Sequence, residues 1–127
     1  MPVIFAMEVY LVEPIIKDVK KIKLVPVEME GAEKTYMAWL ISDKDAPVTF
    51  AMRIFKVEPG GKIPLHSHWY CHEIFCLQGK GKVTVAGKEY IMEAWNAVYV
   101  PPEVPHSYEN IGDEDWIFLC MIPLKND

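Results

Sequence analysis

The sequence lacks the features that mark membrane and secreted proteins. No segment approaches the ~20 consecutive apolar residues that a membrane-spanning helix requires. The first residues contain no basic region ahead of an apolar stretch, and Glu8 interrupts them too early for a secretory signal. We therefore predict a cytoplasmic protein that has no membrane partner.

Concentrated positive charge is also missing. The formal net charge is -5, and the 13 Lys and Arg residues are scattered apart from a short run at 17–23. Binding to the phosphate backbone of nucleic acids needs a concentrated basic surface. We therefore predict no nucleic-acid partner.

Cysteines are few and carry no motif. Cys71, Cys76 and Cys120 are odd in number and form no C-x-x-C pair, so neither a disulfide framework nor a zinc knuckle is indicated. A G-x-S-x-G nucleophile motif and a glycine-rich phosphate loop are absent as well. Catalysis without a metal is therefore not indicated by any motif.

The chain has the length and composition of one globular domain. It has 127 residues, of which 51% are hydrophobic and 24% charged. We interpret residues 1–30 as an N-terminal arm and residues 31–127 as the domain. Within the arm, Val3 to Val12 is apolar and β-prone, whereas 15–24 fits either a short helical turn or, as we prefer, an extended segment. An apolar arm on a small domain predicts a homodimer in which 3–12 packs across the interface.

Short β-prone segments recur at regular intervals after residue 31. The predicted strands are 35–41, 48–58, 62–68, 73–77, 82–85, 88–91, 97–100, 106–110 and 116–123. Pro59-Gly60-Gly61 is predicted as a turn between two of them, and Ala86-Gly87 as a tight hairpin turn. This spacing is typical of an all-β sandwich or barrel.

Histidine is rare and clustered, which is the main functional signal. Three of the four histidines lie within eight residues, and the fourth, His106, follows a second proline-marked segment. On an extended strand residues two apart share a face, so His66 and His68 present two imidazoles to one side. Glu73 or His72 can add a further ligand, but only one of them can face inward because they are adjacent on a strand. Such a set of nitrogen and oxygen ligands suits Fe(II), Mn(II), Ni(II) or Zn(II).

Two motifs in this order resemble those of the cupin family. The first motif places a glycine ahead of H-x-H and a glutamate and a glycine after it, as in Gly60, His66, His68, Glu73 and Gly79. The second motif spaces a proline, a histidine and an asparagine, as in Pro101, His106 and Asn110. The resemblance covers about residues 48–123. This chain departs from it at turns, where Trp95-Asn96 stands in place of the common Gly-Asp and Glu103 replaces the glycine of the usual P-x-G.

The resemblance implies a jelly-roll barrel, also called a double-stranded β-helix, with a divalent transition metal inside. His66, His68, Glu73 and His106 are the ligands that it implies, and Glu73 is preferred over His72 because its spacing from His68 matches the motif. The same phase on the strand puts Phe75 and Leu77 inside and Cys71 at the rim of the pocket. We interpret Cys71 as a small hydrophobe rather than a ligand.

Two functions follow from the resemblance. The first is a metal-dependent enzyme that acts on a small organic carbonyl or carboxylate compound, with dioxygenase chemistry favoured over that of a decarboxylase, isomerase or lyase. The second is a non-catalytic binding or sensing protein with a structural metal. For proton transfer we select Tyr108, which is in phase with His106, ahead of Tyr70 and Arg53. Either Arg53 and Phe55 or their neighbours Met52 and Ile54 point inward.

Overall fold

The structure is a computed structural model that describes residues 13–124. The apolar segment Val3 to Val12 and its predicted dimer contact lie outside the described residues. Among the described residues, no helix is long and apolar enough to cross a membrane. Regular structure in 13–124 consists of strands and one turn of 3-10 helix.

Nine strands form the described part of the chain. In chain order they are β1 (Val25–Pro26), β2 (Glu33–Ile41), β3 (Phe50–His66), β4 (His72–Gln78), β5 (Lys80–Val85), β6 (Lys88–Glu93), β7 (Ala97–Val100), β8 (His106–Glu109) and β9 (Trp116–Pro123). All pairs are antiparallel, in the order β6-β5-β8-β3-β9-β4-β7, and β2 joins β1 to the other side of β3. The predicted all-β jelly-roll barrel is confirmed.

Strand β3 is the longest element because the predicted turn at 59–61 does not end it. Gly60 has a φ of 81°, which a glycine adopts without strain. The strand bends there and changes partner from β9 to β8. The Gly60 N–H donates to the carbonyl of Asn110 at 3.2 Å, and the Asn110 N–H donates to the carbonyl of Gly61 at 3.0 Å. The two predicted strands are therefore one bent strand, and its far end carries His66 into the barrel.

The hairpin between β5 and β6 has the predicted turn. Ala86 and Gly87 both have positive φ, at 51° and 80°. Two successive residues of this kind match the twist of the flanking strands. The turn prediction is confirmed.

Alternation on the strands separates an interior core from an outer apolar layer. The interior is filled by large buried side chains, including Trp116, Phe118, Ile74, Met92 and Val57. The outer layer lies over β2 and β3, where Val19, Ile22 and Leu24 pack against Ala38, Leu40 and Ile54. The segment predicted as an extended arm contains one helical turn, Val19–Lys21, capped by the Asp18 carboxylate.

Candidate metal centre

Four imidazoles meet inside one end of the barrel. His66 ends β3 and lies opposite His106, the first residue of β8, in the strand register. His68 follows in the loop, and His72 begins β4. The ring centroids of His66 and His106 lie 4.3 Å apart, those of His68 and His72 4.4 Å, and those of His72 and His106 5.1 Å. The fold therefore brings all the histidines of the chain into a single cluster.

Backbone carbonyls set the tautomer of three of these rings. The Nδ1 atoms contact carbonyl oxygens as follows: His66 with Pro64 at 2.7 Å, His68 with Tyr70 at 2.8 Å, and His106 with Val104 at 2.9 Å. A carbonyl oxygen only accepts, so each Nδ1 carries the hydrogen and each Nε2 keeps its lone pair. Metal-binding histidines commonly have this arrangement, in which the second ring nitrogen is anchored by an oxygen.

The nitrogen atoms fit a metal ion. One ring nitrogen from each of His66, His68 and His106 lies within 4.8 Å of the other two. A metal about 2.1 Å from each nitrogen holds a pair of them at most about 4.2 Å apart, so small side-chain movements suffice. The Nε2 of His106 is buried and has no hydrogen-bond partner. A metal would satisfy this buried atom, which otherwise carries a desolvation cost.

His72, and not Glu73, faces the cluster. His72 is buried and its Nε2 contacts the Nε2 of His68, whereas Glu73 is exposed on the outer face. The prediction that Glu73 and the residues in phase with it on β4 face the interior is therefore wrong. Pairing with β7 and β9 buries Ile74 and Cys76 with His72, while Phe75 lies outside against Trp95.

The other residues that were expected to lie inside with Glu73 also lie outside the histidine cluster. Leu77 is exposed. Cys71 is half-buried and lines a small outer groove together with Glu73, away from the histidines. Hydrophobicity could not reveal this phase because both faces of β4 are apolar.

Cys120 supports His72 from β9. The His72 Nδ1 lies 2.7 Å from the Cys120 Sγ, which also accepts a hydrogen bond from Arg53 Nη2 at 3.0 Å. A thiol both donates and accepts, so Cys120 can serve either tautomer of His72. Sequence reasoning did not select Cys120, although its alternation with the inward-facing Trp116 and Phe118 on β9 is a usable signal.

Burial favours the neutral form of His68, His72 and His106. Burial lowers the pKa of His72 to about 2, with further lowering by the nearby Arg53, and lowers the pKa of His106 to about 4. Burial also lowers the pKa of His68. Only neutral imidazole has a lone pair for a metal, so these shifts favour the ligating form at pH 7.

A cavity of about 250 Å³ is lined by three of the histidines, His66, His68 and His72. Its lining is mostly apolar and aromatic, and it includes Arg53 and Phe55, which settles the inward phase of β3 in favour of this pair. The Tyr108 hydroxyl is buried beside it without a hydrogen-bond partner, and burial raises the pKa of this phenol well above its usual range. A larger groove of about 680 Å³ lies outside the barrel and contains no histidine.

Comparison with known proteins agrees with this geometry. A family model described as Cupin domain matches residues 53–122, which is more than half of the chain. The chain belongs to the cupin family. This cupin is 35% identical over 98 residues to the oxalate-binding protein of Thermotoga maritima, a match that covers 74% of this chain and 79% of that protein.

Two further similarities are informative. The oxalate decarboxylase OxdC of Bacillus subtilis is 36% identical over 100 residues, which are 74% of this chain but 26% of that enzyme. The structure of the polyketide cyclase RemF from Streptomyces resistomycificus superposes with a TM-score of 0.80 and 27% identity, covering 87% of this cupin and 81% of RemF. The chain spans about half or less of the length of several curated relatives that it matches.

Proposed function

We propose that this cupin binds a divalent transition metal and acts as a metal-dependent enzyme on a small organic compound bearing a carbonyl or carboxylate group. The observation that carries the proposal is the convergence of four imidazoles, three of which line one cavity of about 250 Å³. The ligands in the proposal are His66, His68, His72 and His106. Imidazole ligands suit iron, nickel and zinc, and this ligand set does not discriminate among these three metals. Manganese, the fourth candidate, prefers oxygen ligands.

The position of Glu73 changes the expected chemistry. The expectation of dioxygenase chemistry depends on a carboxylate ligand, which together with imidazoles suits Fe(II). A site with four imidazoles gives that chemistry no preference over decarboxylation, isomerisation or elimination. We therefore propose the broader reaction class, in which the metal, when bound, supplies Lewis-acid polarisation of a substrate oxygen.

Tyr108 is the residue we propose for catalysis. Its hydroxyl is buried, lacks a partner, and stays protonated because burial raises its pKa. A fixed O–H donor in a mostly apolar site stabilises negative charge that develops on a substrate oxygen. The rings of Phe55 and Phe118, stacked with centroids 5.4 Å apart, form an apolar wall of this part of the cavity.

A non-catalytic binding protein is the second candidate. One relative is named as an oxalate-binding protein and another as an oxalate decarboxylase, so similar chains are named for both binding and catalysis. The mostly apolar lining of the cavity favours binding, since Tyr70 and Tyr108 are the neutral O–H donors that line it beside the histidines within residues 13–124. Incubation of the metal-loaded protein with a panel of small carboxylates separates the two. Product formation, followed by NMR, supports an enzyme, whereas saturable binding without product supports the second candidate.

The first experiment is elemental analysis of protein purified without a histidine tag. We expect about one Fe, Mn, Ni or Zn per chain, and none in the folded double variant His66→Ala/His106→Ala. Circular dichroism of the variant controls for folding. A wild type that stays free of metal after reconstitution would overturn the proposal.

A matched pair of neighbours tests the fourth ligand. His72→Gln should lower metal affinity strongly, because it removes a buried imidazole from the cluster. Glu73→Gln should leave metal affinity unchanged, because this side chain lies on the outer face. The opposite result would restore Glu73 as the ligand.

We also propose a cytoplasmic homodimer. Large apolar side chains remain exposed on the described surface, among them Phe50, Leu65, Trp95 and Tyr99. The three cysteines are unpaired, as is usual in a reducing compartment. Sedimentation should give the mass of a dimer for the full chain and a weaker dimer after deletion of residues 1–12. A dimer of unchanged mass and stability would remove the arm from the interface.

A further inference from the structure

The single arginine of the chain lies inside the cavity of about 250 Å³ that the histidines line. Arg53 is the one arginine among the 127 residues, and it is only 9% exposed. It projects from β3 into the cavity, next to Phe55 on the same face of the strand. Arginine is rarely buried without a partner, so its position needs a physical explanation.

The described residues supply no anion for this guanidinium. Its Nη2 donates to the Cys120 sulfur at 3.0 Å, and its Cζ lies 5.0 Å and 5.5 Å from the ring centroids of Phe55 and Trp39. Its Nε is buried and has no hydrogen-bond partner. Within residues 13–124, each ion pair involves a lysine, and none involves Arg53. A buried charge without an opposite charge is strongly unfavourable.

The charge of the whole cavity also favours an anionic ligand. The one carboxylate among its lining residues is Glu28, which is exposed and not paired with Arg53. Glu73, which would have added a negative charge beside the metal, lies outside. The guanidinium therefore leaves the cavity positive, a bound divalent cation would make it more so, and a positive cavity attracts anions.

We propose that Arg53 binds a carboxylate group of the ligand, so that the cavity selects small organic anions. The planar fork of the guanidinium matches a carboxylate, and the buried Nε supplies a donor that is not yet used. The cavity of about 250 Å³ limits the ligand to a small acid. This inference rests on the proposed function for the metal at the other end of the ligand, but the contact with Arg53 can be tested without metal.

One experiment uses the wild-type protein. Because the chain has a single arginine, ¹⁵N-arginine labelling gives one Nε–H signal that needs no assignment. The probes are oxalate and its neutral diamide oxamide, which have similar shapes. We expect oxalate to shift the Arg53 signal saturably and oxamide to leave it unchanged. No shift at high oxalate concentration, or equal shifts with both probes, would overturn the proposal.

A second experiment measures the dissociation constant of oxalate by calorimetry. Arg53→Gln should weaken binding about 10- to 100-fold, since it removes charge-assisted hydrogen bonds. Arg53→Lys should lose less, because it keeps the charge without the fork. Lys56→Gln is the matched control, because it removes the same charge from the opposite face of β3. Unchanged affinity in a folded Arg53→Gln variant would refute the role of Arg53.

The two proposals fail in different ways. If the wild type never binds metal but oxalate still shifts the Arg53 signal, the proposed enzyme function is lost and the anion site stands. If the metal is present but oxalate affinity does not depend on Arg53, the anion site is lost and the proposed function stands.

Discussion

The free energy of unfolding of the metal-free protein should fall when the pH is lowered from 7 to 5. Burial lowers the pKa of His72 to about 2 and that of His106 to about 4, whereas both titrate near 6.5 in the unfolded chain. Between these values the unfolded state binds more protons than the folded state. The stabilisation is therefore complete above pH 6.5 and is lost as the pH falls towards the folded-state pKa values.

The size of the effect follows from the same values. At pH 5 both folded-state imidazoles are still almost entirely neutral, while the unfolded ones are almost entirely charged. Each histidine then costs about 2 kcal/mol relative to pH 7, and the pair about 4 kcal/mol. The lowered pKa of His68 acts in the same direction. A loss of this size is a large part of the roughly 5–15 kcal/mol by which domains are stable.

Urea unfolding followed by tryptophan fluorescence, in the presence of a chelator, measures this difference at pH 7 and pH 5. His72→Gln should reduce the pH dependence by about 2 kcal/mol, because it removes one of the buried histidines that titrate on unfolding. Glu73→Gln is the control and should keep the wild-type dependence. Equal unfolding free energies at the two pH values, or a full wild-type dependence in His72→Gln, would refute the buried neutral cluster.

Three further predictions concern single side chains. Gly81→Ala should lower the free energy of unfolding in urea by about 3 kcal/mol, because a Cβ at this position would overlap the ring of Trp116. Gly112→Ala is the control and should lower it much less, because a Cβ there would make only ordinary contacts. Asn110→Ala should cost about 3 kcal/mol in the same assay, because the buried amide donates to two backbone carbonyls at 2.8 Å and accepts from one N–H. Tyr108→Phe should leave the free energy of unfolding unchanged or slightly higher, because the buried hydroxyl has no hydrogen-bond partner. The same substitution should lower turnover about 100-fold. Unchanged turnover would remove Tyr108 from the mechanism.

Local chemistry explains which parts of the fold were predictable. The hairpin at Ala86-Gly87 needs only two residues with positive φ, and short β-prone runs bounded by turns indicated the strands. The continuity of β3 was not predictable in this way. Gly60 and Gly61 suggest a turn in isolation, whereas their hydrogen bonds with Asn110 and the pairing of β3 with β2 on both sides of the bend continue the strand.

Some residues of the candidate site could likewise be predicted from the local sequence, whereas others depend on tertiary contacts. His66 and His68 lie close together as their spacing predicted, although His68 lies in the loop after β3, and the second motif indicated that His106 would join them. The contributions of Arg53 and Cys120 depend on two distant strands meeting at one cavity, a juxtaposition that neither local sequence contains.

The sequence by itself determined the class of protein: a small all-β domain of cupin type whose few histidines cluster in two motifs. Only the tertiary structure decided which of two adjacent residues, His72 or Glu73, joins them. Both faces of β4 are apolar, so its phase follows from pairing with β7 and β9 and not from its own pattern. That pairing places a neutral imidazole inside and a carboxylate outside, and leaves Arg53 without an anion in the cavity.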